Sequence, residues 1–153
     1  HLVVEAQLGL TRGVFGQLAA GGDAGTFHVP MNSGESSRKL ARVRKRVKGK
    51  GQKLLREGRD EAARSERATY ICWYEWLARS SSTDRKELSQ AMAKQARQVR
   101  DTAGDEELEI LTERKLDEIC KHLDQLSSQW SSLEVGQSVA VRWPDLAIVS
   151  TPT

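Results

Sequence analysis

A nucleophile beside a base, or a metal held by several ligands, needs histidines, cysteines or acids at fixed spacings. This chain has three histidines and two cysteines. Cys120 and His122 stand two apart in a helical-looking segment, which sends their side chains to different sides. Cys120 adjoins an apolar seam and Cys72 falls within an aromatic cluster, so both read as buried, inert thiols. His1, His28 and the two cysteines are too scattered to form a zinc set with His122. Gly49-Lys50-Gly51 does not follow a strand. Leu54-Leu55 rather than a third glycine comes after it, so neither the dinucleotide fingerprint nor the P-loop applies. The carboxylates between Asp101 and Asp124 repeat along a solvated face, with nothing to push two of their pKa values apart as an acid–base pair requires. The expectation is therefore no enzyme, no cofactor and no metal.

The chemistry with a mechanism is electrostatic. Between Arg38 and Arg59 eleven Lys or Arg stand against one acid, Glu57. The net charge of +3 is thus a segment of +10 set against a remainder of −7. Nine acids between Asp101 and Asp124 face Arg114, Lys115 and Lys121 only, a second cluster at −6. A helix carrying Arg38, Lys39, Arg42, Arg44, Lys45, Arg46, Lys48, Lys50, Lys53 and Arg56 can lie along phosphates and exchange their counterions for its own charges. Arginine forks onto phosphate. RNA is favoured over DNA because arginine-rich segments fold on RNA and no DNA-reading motif is present. The alternative is internal: the basic and acidic segments pair, and no nucleic acid is bound.

The elements that must position these charges follow from spacing. Ser33 or Ser36 is placed to cap a basic helix over 36–59, with Leu40, Val43, Val47 and Leu54 as its seam and a weak point at Lys48-Gly49-Lys50-Gly51. An aromatic helix follows over 60–79, with Tyr70, Trp73, Tyr74 and Trp76 crowded near its end. A helix apolar on most sides is buried on most sides. Trp76, facing away from Trp73, is the aromatic expected to make an exposed contact. Asp84 with Glu87 resembles a capping box for a helix over 84–103, with Leu88, Met92 and Ala96 on its stripe. Gly104 stops it. An acidic helix over 105–134 carries Leu116, Ile119, Leu123, Leu126, Trp130 and Leu133 at spacings of three and four, a heptad seam. With Trp76, these six are the candidate partner interface.

The flanks differ from this helical domain. Residues 1–35 hold seven of the 12 glycines and few charges. They read as an apolar Gly-rich arm, in which a short strand over 2–8 and an amphipathic helix over about 2–19 both fit the periodicity, with a loop over its second half. Residues 135–153 read as an extended tail, in which Val139, Val141 and Trp143 alternate like a strand, Pro144-Asp145 turns and Leu146–Val149 pairs back. The fold class expected is mostly α, a bundle of three to five helices with an N-terminal arm and a short β-like tail. No uncharged stretch exceeds 11 residues, too short for a membrane-spanning helix. Two cysteines fit an intracellular, reducing compartment, and a first residue of His1 suggests precursor processing. Arms on a small helical body suit a part of a larger assembly, whose neighbours give them order. The function expected is a non-catalytic RNA-associated subunit of a ribonucleoprotein, ribosomal or nucleocapsid-like. Its protein partners are other subunits, with self-association through the heptad helix. A helical protein–protein adaptor is the alternative.

Overall fold

In the computed structural model, which describes residues 1–24, 27 and 36–149, seven helices precede a two-stranded hairpin. They are α1 (Leu2–Leu8), α2 (Val14–Ala19), α3 (Ser37–Glu57), α4 (Arg59–Ala78), α5 (Thr83–Thr102), α6 (Asp105–Glu109) and α7 (Glu113–Ser131), followed by β1 (Ala140–Val141) and β2 (Ile148–Val149). The mostly helical class is as expected, with more helices than three to five. The first 19 residues are not an extended arm. They form α1 and α2, and α1 packs on both α4 and α7. The loop beyond Ala24 apart from Phe27, Ser33 as a cap, His28 and the end of the tail lie outside the described residues.

The core explains this difference. Val3 and Val4 of α1 are buried with Ala68 and Cys72 of α4, Leu116 and Ile119 of α7, and Leu146 of the hairpin. Apolar side chains at the start of the chain therefore fill the space between the aromatic helix and the heptad helix. α4 packs against α1, α3, α5 and α7, as an all-round apolar helix requires. Its pairing with α5 is the most extensive in the fold. Ile71, Leu77, Met92 and Ala96 are buried as well.

α5 turns a slightly different face inward from the one expected. Ser89 is buried and Leu88 is exposed, so the inward stripe is Ser89, Met92 and Ala96. Two small residues on it suit the close approach of α4. The helix starts earlier than a capping box at Asp84 would place it, with Ser82 at the N-cap and no side-chain bond closing it. The acidic helix is broken in two. Thr112 caps α7 by accepting a bond from the Lys115 N–H at 3.2 Å, and Leu111 is drawn against the core beside the break.

α3 runs unbroken through Lys48-Gly49-Lys50-Gly51, where the glycines predict a weak point. Ser36 caps it, accepting from the Lys39 N–H at 3.4 Å. The two glycines play different parts. The backbone of Gly22 and Asp23 crosses directly over Gly51, which is buried, and a Cβ there would meet the Asp23 carboxylate. At Gly49 a Cβ would meet nothing within 4 Å. Gly49→Ala is expected to raise stability by about 0.5–1 kcal/mol through helix propensity. Gly51→Ala is expected to lower it by about 1–3 kcal/mol through overpacking. Urea midpoints of the two variants, measured side by side, check the opposite signs.

The N-terminal helices are joined by a buried carboxylate. Glu5 is fully buried. It accepts from the N–H groups of Val14 at 2.7 Å, Phe15 at 2.8 Å and Gly16 at 3.2 Å, the open first turn of α2. The Ser65 hydroxyl of α4 donates to it at 2.9 Å, and the His1 ring lies 3.2 Å away. Gly13 is glycine because a Cβ would run into the Glu5 carboxyl group. Burial, the largest influence, pushes the Glu5 pKa up, but the bonds from His1, Ser65, Gly16 and Val14 outweigh it and hold the pKa below the ordinary 4.5. The bond to Glu5 raises the His1 pKa above 6.5, against the opposing effect of burial.

The signs of these shifts give a pH optimum. Glu5 contributes stability above pH 4.5 that is lost as pH falls through its folded pKa. His1 contributes stability below pH 6.5 that is lost as pH rises through its folded pKa. Chemical-denaturation midpoints should therefore peak between those two values and fall on both sides. Glu5→Gln should flatten the acid limb.

Candidate nucleic-acid interface and apolar groove

α3 is the most one-sided element of the fold. Only Gly51 and Leu54 are buried in its 21 residues. Leu40, Val43 and Val47 are half-buried, so the seam is covered best at its C-terminal end, where α2 and α4 pack on the helix. Arg38, Lys39, Arg42, Arg44, Lys45, Arg46, Lys48, Lys50, Lys53 and Arg56 are all exposed. Helical spacing puts Arg38, Arg42, Lys45, Lys53 and Arg56 on the side opposite the seam, with Gly49 in their midst. From Arg38 to Arg56 the basic face is about 27 Å long at 1.5 Å per residue. Lys53 pairs with Glu57 along the helix at 3.7 Å, an exposed contact of little energetic weight.

The acidic cluster meets other cations. Arg79 at the end of α4 reaches Asp117 at 2.6 Å and Glu113 at 2.7 Å. Arg67 of α4 forks onto Glu107 of α6, and this bond holds the Glu107 carboxyl below its usual range. Arg85 of α5 lies 3.3 Å from Asp124, and Lys115 lies 2.9 Å from Glu118. Glu107, Glu113, Asp117, Glu118 and Asp124 are thus bonded to arginines of α4 and α5 and to Arg114 and Lys115 of α7 itself. α3 packs chiefly on α2 and α4, and α7 on α1 and α4.

The seven candidate interface residues divide. Leu116 and Ile119 are buried in the core and are not surface. Leu123 and Leu126 pack partly against the core, and Trp130 is 70% exposed. Trp76, Leu123, Leu126 and Trp130 come together in one groove of about 550 Å³. Leu133 is half-buried just beyond the end of α7. Sequence reasoning missed that Phe15, Val141 and Trp143 complete this groove. The alternation of residues 139–143 locates the strand but not the surface it faces.

Trp76 is not a free ring. The Arg85 guanidinium lies 4.1 Å from its ring centroid, and its indole N–H donates to Asp124 at 2.8 Å. Trp73 is the more exposed of the two, at 40%, with Tyr70 edge-on to it at 6.1 Å between centroids. His122 lies 2.9 Å from the Glu118 carbonyl. Burial pushes the Cys72 thiol up to about 12 and raises that of Cys120, so neither is a ready thiolate nucleophile at neutral pH. Among the described residues no group of three His, Cys, Asp or Glu is placed to hold a metal ion, and no helix is long and apolar enough to cross a membrane.

No protein-family model matches the chain, and neither a curated protein nor a solved structure matches it. The functional reading therefore stands on the geometry of the chain itself.

Proposed function

We propose that this chain is a non-catalytic, RNA-associated structural subunit of a larger assembly, with α3 laid along the phosphate backbone. One observation carries the reading. The ten basic side chains of α3 are exposed together, while acids of α6 and α7 are bonded to Arg67, Arg79, Arg85 and Lys115. A helix of this kind binds by counterion release, with little preference for sequence. Titration of the whole chain with a random-sequence RNA tests it. Binding should be firm at about 50 mM salt and weaken along a log–log line by ~0.7 per phosphate contact. Undetectable binding at that salt refutes the reading. The second reading, a protein–protein adaptor, is favoured by the groove around Trp130, and capture of partner helices without any RNA is its signature.

A further inference from the structure

The apolar seam of α7 continues beyond the point where the fold covers it. Leu116 and Ile119 are core, Leu123 and Leu126 are half-buried, and Trp130 is left with 70% of its area exposed. The charge pattern changes at the same place. From Gln125 to Val141 the only charged residue is Glu134, although 29% of the chain is charged and about five would be expected. The acids that stud the first half of α7 stop at Asp124.

We infer that this face is covered by a second copy of the chain, with the two α7 helices packed antiparallel about a two-fold axis. A two-fold contact sets a patch against itself, so a patch of one sign would repel its own copy. This face has an apolar centre, and Arg85 and Asp124 at its edge are paired with each other at 3.3 Å, so it carries no single sign and meets that condition. The register is also consistent. With Leu126 opposite Trp130 of the second copy, the axis passes beside Ser128, and Leu123 faces the turn beyond the second copy's α7, where Leu133 lies. Within the helices the flanking positions bring His122 opposite Gln129, so no like charges meet there. The groove beside Trp76 and Trp143 is open to receive Trp130 of the second copy.

Light scattering on the purified chain, without RNA, tests this independently of the RNA reading. Across the micromolar range the expected mass is twice 17.1 kDa. Trp130→Asp should return the chain to monomer by raising the dissociation constant about 30-fold or more, the effect of removing an interface hot spot. Its helical circular dichroism and melting should be preserved, because Trp130 contributes little to the core. Leu133→Asp serves as the second variant, with the same expectation. A wild-type chain that stays monomeric throughout overturns the inference. So does a dimer that both variants leave intact.

Discussion

Glu5→Ala should destabilise the fold by about 3–5 kcal/mol, the range seen when one partner of a buried charged network is removed. The carboxylate satisfies three backbone N–H groups at the start of α2 and the Ser65 hydroxyl. Without it those donors remain buried with no acceptor. The loss reaches beyond α2, because α1 and α4 are held in place by the same group. Denaturant unfolding read by tryptophan fluorescence gives the midpoint, and Leu8→Ala at a half-buried position provides a milder comparison. A shift below about 1 kcal/mol would show that α2 is satisfied some other way. Glu5→Gln should fall between the two, since the amide keeps one acceptor oxygen and loses the charge.

Replacing Arg38, Arg42, Lys45 and Arg56 together with alanine should cost RNA affinity on the order of 10²–10³-fold at low salt, taking about 1 kcal/mol for each charge brought to a polyanionic surface. The log–log salt slope should fall by about 3 at the same time, at 0.7–0.9 for each phosphate no longer neutralised. Folding should not suffer. All four side chains are exposed, alanine favours the helix, and the change relieves repulsion between neighbouring cations. A melting temperature equal to or above that of the parent, together with the loss of affinity, separates a binding surface from a structural one. An unchanged slope would mean that these four charges do not meet phosphate.

Periodicity carried much of the fold because it records local burial. The start of α3 at Ser36, the aromatic helix, the Leu116–Trp130 seam and the hairpin at 140–149 could all be read from residues within a few turns of each other. For the first 19 residues periodicity left helix and strand undecided, because their logic is long-range. Glu5 sits in an apolar run and resembles a solvated charge until Val14, Phe15 and Gly16 are brought round to it. The glycines that suggest a loose arm include Gly13, which clears a carboxylate eight residues earlier. Ser89 in place of Leu88 on the inner face of α5 is a related case, in which the approach of a neighbouring helix selected a smaller residue over a more apolar one. The basic candidate surface was legible as a set of charges. Its exposure, and the arginines that engage the acidic cluster, required the arrangement of α4 and α5 around α7.

The segregation of charge also gives the molecule a direction. With +10 between Arg38 and Arg59 and −7 over the rest, the chain is an electric dipole whose positive pole lies along α3. A polyanion at a distance exerts a torque on such an object as well as a pull, and turns that pole forward before contact. Most encounters would then begin with the basic face already presented. The acidic body would be held away from the nucleic acid and left free to meet protein. Because the Debye length is about 8 Å at physiological salt, this pre-alignment operates only over the last nanometre of approach, and it shows in association rates more than in affinity.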